Sequence, residues 1–141
     1  MGRFWYGSAR LSAEIPNYMA TILIAEDYDD NRELLRILLN AAGYDVHEAR
    51  NGAECVKIAR RNPPDLVMVD LSMPELDGWG VFRELKSDPA TSAIPCVAVT
   101  AHTESNRDRV LKSGFDAFVS KPFRTDELLA TVERLIRKPA A

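Results

Sequence analysis

The sequence predicts an α/β fold in which helices cover both faces of a parallel sheet. From Thr21 onward, short apolar runs alternate five times with segments that carry apolar residues at helical spacing. This alternation is typical of consecutive βα units and a parallel sheet. The runs 22–25, 66–69 and 96–99 are apolar without interruption, as expected for strands that are buried on both faces.

The first half of the chain contains clear start and stop signals. A helix is predicted over residues 31–42, with Asp29 and Asp30 as candidate caps and Gly43 as its stop. Its apolar stripe comprises Leu34, Leu35, Leu38, Leu39 and Ala42. The second strand is predicted over 45–49. Asn51 and Glu54 then resemble a capping box for a second helix, which must end before Pro63.

The second half repeats the pattern. The third strand is predicted over 66–69, followed by a loop and a helix that ends near residue 87. The fourth strand, 96–99, precedes a helix over 105–113 that stops at Gly114, and the fifth strand covers 117–120. Thr125 is the predicted cap of the last helix. The apolar stripe of this helix comprises Leu128, Leu129, Val132, Leu135 and Ile136.

Composition limits the class of protein. The chain of 141 residues is 46% hydrophobic and 28% charged, an ordinary globular balance. We therefore expect one domain over 21–138, preceded by a flexible arm over 1–20. The net charge of −3 disfavours nucleic-acid binding, which needs a basic face. No apolar run reaches membrane-span length, and Cys55 and Cys96 lack metal-binding spacing, so we expect reduced thiols in a cytoplasmic protein.

Polar residues follow the apolar runs where each predicted strand ends. Glu26 and Asp27 follow the first strand, Asp70 the third, Thr100 the fourth and Lys121 the fifth. Ligands of open parallel sheets bind outside the carboxyl ends of the strands, so these side chains are expected to meet at one edge. Three carboxylates, a hydroxyl and an ammonium suit a divalent cation and a phosphoryl group.

Each of these residues also has a simpler interpretation. Adjacent carboxylates repel each other unless a cation lies nearby, yet Glu26 and Asp27 taken alone are as well explained as helix caps. A lone Asp70 would be a turn residue, and a lone Thr100 or Lys121 an ordinary loop residue. The prediction of a site depends on their joint occurrence, in order, at successive strand ends.

In this combination the sequence resembles the receiver domain of two-component response regulators. The segments that carry the resemblance are Glu26-Asp27, residues 70–78 (DLSMPELDG), Val99-Thr100-Ala101 and Lys121-Pro122-Phe123. The match covers residues 21–138. It implies a doubly wound, flavodoxin-like sheet of five strands in the order 2-1-3-4-5.

The resemblance also implies a chemistry. Asp70 would accept a phosphoryl group from a phosphohistidine on a histidine kinase or a histidine phosphotransfer protein. Asp27, Asp70 and the backbone carbonyl of Ser72 would bind Mg²⁺, with Glu26 acting through water. Thr100 and Lys121 would bind the phosphoryl oxygens.

A conformational switch is implied as well. Thr100 would move towards the phosphoryl group, and Phe118, three residues before the lysine, would rotate inward. The face formed by the fourth helix, fifth strand and fifth helix would then signal to a protein partner. Ser72 and His102 occupy two positions that differ among family members, and in the family these positions determine the lifetime of the phosphoryl group. We expect a monomer or a weak homodimer, active as a stand-alone regulator rather than an enzyme.

Three alternatives compete with this interpretation. A pseudo-receiver would keep the fold as an interaction module without the chemistry, but such proteins usually lack one of the residues present here. A Mg²⁺-dependent phosphatase usually needs a second Asp where Ser72 stands. A flavin-binding protein of this fold class would need a phosphate loop after the first strand, where Glu26-Asp27-Tyr28-Asp29-Asp30 would repel a phosphate.

Overall fold

The sheet has five parallel strands in the order β2-β1-β3-β4-β5, which confirms the predicted topology. The computed structural model describes residues 19–101 and 104–137; the predicted arm, apart from residues 19 and 20, and His102 lie outside them. The strands are β1 Thr21–Ala25, β2 Asp45–Ala49, β3 Leu66–Asp70, β4 Cys96–Ala101 and β5 Ala117–Lys121. The helices are α1 Asp29–Ala41, α2 Gly52–Arg61, α3 Gly78–Lys86, α4 Glu104–Lys112 and α5 Thr125–Arg137.

Each face of the sheet has its own apolar core. Alternate residues of a strand point to opposite faces, so Leu23 of β1 packs against α2 and α3 while its neighbours Ile22 and Ile24 pack against α1 and α5. The core on the α2 and α3 side also includes Val110 of α4. Helices therefore cover both faces, as the alternating pattern predicts.

The predicted caps were only partly right. The Asn51 side chain accepts a hydrogen bond from the Glu54 backbone N–H at 2.8 Å, which confirms the cap of α2. Asp29 and Asp30 are not caps: they form the first turn of α1, whose N-cap is Tyr28 and makes no side-chain capping bond. Thr125 is likewise the first residue of α5 rather than its cap.

The end of α1 shows why Gly43 stops it. Gly43 has a φ of 98°, a conformation that side chains with a Cβ rarely adopt. Its N–H donates to the Asn40 carbonyl at 3.0 Å, and the Tyr44 N–H donates to the Leu39 carbonyl at 3.1 Å. This is a Schellman motif, which satisfies carbonyls left unpaired at a helix end. Leu34 and Ala42, predicted in the apolar stripe, are exposed instead.

Two carboxylates hold the amino ends of the strands. The Asp65 carboxylate accepts from the Thr21 N–H at 2.8 Å, at the start of β1. The Asp116 carboxylate accepts from the Cys96 N–H at 2.8 Å, at the start of β4. In each case the aspartate N–H donates back to the carbonyl of the same strand residue. Both clamps lie opposite the carboxyl ends at which the site is predicted.

Within the described residues, no helix is both long enough and apolar enough to cross a bilayer. The two cysteines are buried and unpaired. Burial raises the pKa of Cys55 to about 12 and that of Cys96 to about 11. Both thiols therefore stay protonated near neutral pH, and the absence of a disulfide between them agrees with the expectation of reduced thiols.

Candidate functional site

The parallel sheet brings the polar residues of four strand ends to one edge. Asp70 ends β3 beside Val99 of β4, and Ala101 at the end of β4 pairs with Lys121 of β5. Glu26 directly follows β1, and its N–H donates to the Ala49 carbonyl of β2 at 3.1 Å.

Lys121 joins two acidic residues across the edge of the sheet. Its Nζ lies 2.8 Å from Asp70 Oδ2 and 3.0 Å from Glu26 Oε1. The two carboxylate side chains are 5% and 1% exposed, whereas the lysine side chain is 23% exposed. Burial alone would lower the pKa of Lys121, but its hydrogen bond to Asp70 and its ion pair with Glu26 outweigh that effect and raise the pKa. The lysine is therefore a stable cation. The peptide bond from Lys121 to Pro122 is cis.

Glu26 is a buried carboxylate with one oxygen incompletely satisfied. Its Oε2 accepts from the Tyr28 backbone N–H at 3.1 Å. Its Oε1 faces the Lys121 ammonium, but no donor among the described residues points at this oxygen with hydrogen-bond geometry. Burial raises the pKa of Glu26, and the charge of Asp70 adds to the rise, although Lys121 and the Tyr28 N–H act against it. The site thus keeps a carboxylate that a further cation would stabilise.

Three carboxylates converge here. One ligand oxygen each from Glu26, Asp27 and Asp70 lies within 4.8 Å of the others. Glu26 and Asp70 are buried and Asp27 is exposed, so the cluster opens to solvent at Asp27. With all three ionised, Lys121 neutralises only one of three negative charges. Mg²⁺ prefers oxygen ligands, is usually bound by one or two carboxylates and keeps several waters, so the under-satisfied Glu26 oxygen fits a bound cation or one of its waters.

The loop after β3 also binds the Asp70 carboxylate, at the oxygen that Lys121 does not contact. The Ser72 N–H donates to Asp70 Oδ1 at 2.9 Å, so each carboxylate oxygen of Asp70 accepts one hydrogen bond. The loop also packs tightly on the start of α3: a Cβ on Gly78 would lie 2.6 Å from the Asp70 carbonyl oxygen. Ser72 itself is exposed, and the role of its carbonyl as a metal ligand stays a prediction.

Thr100 and Phe118 occupy neighbouring strands. Thr100 is buried, pairs with Ser120 in the sheet, and its hydroxyl donates to the Ala101 carbonyl at 3.3 Å. Phe118 is half-buried and packs against the core on the α2 and α3 side. It also lines a groove of about 400 Å³ with Arg107 and Leu111 of α4 and Arg134 of α5.

Sequence reasoning missed Arg32. This residue of α1 is only 7% exposed, and it donates to the Glu26 backbone carbonyl at 2.9 Å. It also bonds to the carboxylates of Asp29 and Glu48. The signal was present in the sequence, because Arg32 precedes Leu35 by three residues and Leu39 by seven, and therefore lies on the buried stripe of the helix.

The chain matches the family model of the response regulator receiver domain over residues 22–133. It is 35% identical to the polar-differentiation response regulator DivK of Brucella anthropi over 114 residues, which is 80% of this chain and 93% of that protein. The DivK protein of Brucella ovis is 34% identical over the same shares.

Solved structures of a response regulator and of a receiver domain are also similar to this chain. A putative response regulator from Chloroflexus aurantiacus superposes with a TM-score of 0.82 at 29% identity, over 86% of this chain and 100% of that one. The receiver domain of a Pseudomonas aeruginosa sensor histidine kinase, solved with a magnesium ion coordinated in its active-site cleft, has a TM-score of 0.79 at 29% identity and the same coverage. With the fold, the strand-end residues and these relatives in agreement, the chain belongs to the response regulator receiver domain family.

Proposed function

We propose that this chain is a single-domain response regulator that accepts a phosphoryl group on Asp70. The donor would be a phosphohistidine on a partner histidine kinase or a histidine phosphotransfer protein. The observation that carries the proposal is the Lys121 ammonium held between buried Asp70 and buried Glu26, 2.8 and 3.0 Å away. A buried, oriented carboxylate beside an ammonium can act as a nucleophile towards phosphorus because its charge repulsion with the incoming group is reduced.

The residues that would hold Mg²⁺ are Asp27, Asp70 and the Ser72 carbonyl, with Glu26 acting through a bound water. When bound, the cation would neutralise charge on the phosphoryl oxygens and bring the donor group to the cluster. The convergence of the three carboxylates within 4.8 Å supports this assignment. The magnesium ion named for the related Pseudomonas receiver domain also supports it.

In the transfer itself, an Asp70 oxygen would form a bond to phosphorus as the P–N bond of the phosphohistidine breaks. The electron pair of that bond would return to the imidazole ring. Lys121, whose Nζ donates to Asp70 Oδ2 at 2.8 Å, would shift its hydrogen bond to a negatively charged phosphoryl oxygen once Asp70 is phosphorylated. Thr100 would supply a hydroxyl donor from the neighbouring strand.

The signal would leave through the face formed by α4, β5 and α5. The phosphoryl group on Asp70 would carry about −1.5 to −2 charges, in place of the single charge of the carboxylate, and Thr100 would turn from the Ala101 carbonyl towards them. The space it leaves would admit Phe118, which is half-buried and already lines the groove between α4 and α5. An inward Phe118 would change that groove and with it the binding of a protein partner.

The proposal describes a signalling protein that assists only its own phosphorylation and dephosphorylation. We further propose that it acts in the cytoplasm as a monomer or a weak homodimer, without nucleic-acid or membrane binding. Its downstream partner would be a protein.

Intact mass after incubation with Mg²⁺ and acetyl phosphate tests the acceptor. The wild type should gain one phosphoryl group, and Asp70→Asn should gain none. Asp65→Asn makes the same substitution at the opposite edge of the sheet, where the carboxylate holds Thr21, and should be phosphorylated like the wild type. Persistent labelling of Asp70→Asn at another residue would contradict the proposal.

A pseudo-receiver is the alternative that this experiment also addresses. If neither the wild type nor Asp70→Asn gains mass, the binding of Mg²⁺ and beryllofluoride distinguishes a receiver from a pseudo-receiver. A receiver that accepts phosphate only from its own kinase should still bind beryllofluoride at Asp70. A pseudo-receiver, acting as an interaction module independent of phosphorylation, should bind neither ligand.

A further inference from the structure

Arg32 connects three parts of the structure next to the acidic cluster. Its Nη1 donates to the buried Glu26 carbonyl at 2.9 Å, its Nε donates to Glu48 of β2 at 3.2 Å, and its Nη2 bonds to Asp29 at the start of α1. Arginine is seldom buried unless it is paired. Here the three bonds satisfy the planar guanidinium in three directions at once, which a lysine ammonium on a flexible stem cannot reproduce.

The bond to Glu26 has a specific geometric effect. The Glu26 N–H is already fixed by the Ala49 carbonyl of β2, at 3.1 Å. With its carbonyl fixed by Arg32, Glu26 has both backbone polar groups anchored. This carbonyl belongs to the peptide unit that joins Glu26 to Asp27. Its direction therefore fixes the orientation of that peptide plane and the direction in which the backbone continues through Asp27. Arg32, which lies on another element, thus contacts the backbone from which the side chains of Glu26 and Asp27 project.

Glu48 anchors the guanidinium in turn. Its Oε1 accepts from Arg32, and its Oε2 pairs with Arg36 at 3.3 Å. Arg36 also reaches Glu33, at 3.6 Å. The edge strand β2 and the exposed side of α1 are thus linked through Glu48 and Arg32 to the backbone at the acidic cluster.

We propose that Arg32, anchored by Glu48, is a positioning residue that holds the Glu26–Asp27 peptide in the orientation needed to bind the divalent cation. This inference rests on the proposed Mg²⁺ site. It makes a prediction opposite to that of simple electrostatics, because a cationic side chain near the cluster should repel Mg²⁺. On charge alone, removal of Arg32 would tighten Mg²⁺ binding; removal of a positioning residue must weaken it.

The test is calorimetric titration of Mg²⁺ into unphosphorylated protein, with thermal unfolding measured beside it. Arg32→Lys keeps the charge and Arg32→Gln removes it. We expect both to weaken Mg²⁺ affinity by about 10-fold or more, the effect typical of residues that orient metal ligands. Arg36→Lys makes the matched change at a position that contacts Glu33 and Glu48, and should bind Mg²⁺ within about two-fold of the wild type.

A second pair of variants covers the case in which Arg32 variants do not fold. Glu48→Ala removes the anchor from a partly exposed position, while Glu33→Ala removes the same charge from the exposed side of α1. Glu48→Ala should weaken Mg²⁺ binding more than Glu33→Ala does. Equal affinities of the two would overturn the proposal.

The outcomes are distinguishable. Wild type that takes up no Mg²⁺ would overturn the proposed function and this inference together. Wild type that binds Mg²⁺, with Arg32→Lys binding equally well at a lowered melting temperature, would show a purely structural arginine and overturn only the positioning role. Tighter binding by Arg32→Gln would overturn it as well, in favour of charge repulsion.

Discussion

Replacing Lys121 by Met tests the electrostatic design of the site. The change keeps an aliphatic stem and removes the ammonium that lies 2.8 Å from Asp70 Oδ2 and 3.0 Å from Glu26 Oε1. Both carboxylates are almost fully buried, at 5% and 1% exposure of their side chains. Removing one partner of a buried ion pair typically destabilises a protein by about 3–5 kcal/mol. Because Lys121 itself is 23% exposed, water can enter the vacated space, so we expect the lower end, about 3 kcal/mol.

This loss should depend on pH. Burial already raises the pKa of Glu26, and Lys121 opposes that rise, so Lys121→Met should raise the pKa further. A carboxyl whose folded-state pKa is raised favours the folded state while it is protonated, and that contribution is lost as the pH rises through the folded pKa. The loss of unfolding free energy in Lys121→Met should therefore be small at a pH near the ordinary pKa of glutamate, about 4.3, and should reach its full size at neutral pH.

Mg²⁺ should partly reverse the loss. A ligand that binds only the folded state stabilises it by about 1.4 kcal/mol at ten times its dissociation constant. Mg²⁺ should stabilise Lys121→Met more than it stabilises the wild type, because the competing ammonium is absent from the acidic cluster of the variant. Urea unfolding followed by circular dichroism, with and without Mg²⁺ at acidic and neutral pH, gives all of these quantities.

Lys86→Met is the matched control. Lys86 is also partly buried, but its Nζ donates to two backbone carbonyls, Ser92 at 2.9 Å and Ile94 at 3.2 Å. Its replacement should lower the free energy of unfolding by about 1–3 kcal/mol, with no dependence on Mg²⁺. If Lys121→Met loses less than about 1 kcal/mol at neutral pH, or shows the same deficit at both pH values and no response to Mg²⁺, the electrostatic reasoning is refuted.

Three further changes test separate parts of the structure. Asn51→Ala removes the side-chain cap of α2 and should lower the free energy of unfolding by about 1 kcal/mol in urea titration. Gly78→Ala would place a Cβ 2.6 Å from the Asp70 carbonyl oxygen, so it should displace the loop and lower the rate of phosphorylation by acetyl phosphate, followed by intact mass. Cys55, whose pKa is about 12, and Cys96, whose pKa is about 11, should resist iodoacetamide in the folded protein and react once it is unfolded.

Controls for these changes come from neighbouring positions. Gly80→Ala is the counterpart of Gly78→Ala, because its Cβ would meet the end of the flexible Leu76 side chain rather than backbone; it should be phosphorylated faster than Gly78→Ala. For the cap, Asn51→Ser retains a side-chain oxygen and should recover most of the stability. Rapid alkylation of either cysteine in the native protein would contradict the burial assigned to it.

The sequence was sufficient to predict the sheet and the meeting of the polar residues. Parallel strands place their carboxyl ends at one edge of the sheet. The ends of the apolar runs before Glu26, Asp70 and Lys121 are therefore nearly enough to predict that these side chains lie close together. The strand order came from the family resemblance, since alternation of strands and helices alone allows several orders.

Details that depend on competition between side chains could not be predicted. Asp29 looked like a helix cap, but its carboxylate is bound by Arg32 and the helix begins one residue after Tyr28. The direction of the Thr100 hydroxyl, towards the Ala101 carbonyl, depends on a rotamer that the sequence pattern does not encode. Arg32 lies on the buried stripe of α1, but charged side chains are almost never buried unless they are paired, and the sequence pattern does not show that Asp29, Glu48 and the Glu26 carbonyl are its partners.

The clamps at the amino ends of β1 and β4 have a consequence for how such a protein can diversify. Asp65 and Asp116 fasten Thr21 and Cys96 at the edge of the sheet opposite the proposed phosphorylation site. The fold is thus anchored in two places separated by the length of a strand: by these clamps at one edge and by the Lys121 ion pairs at the proposed site. We expect loop exchanges at the functional edge that spare the Lys121 ion pairs to leave both clamps intact, which would suit this scaffold to changes in signalling specificity.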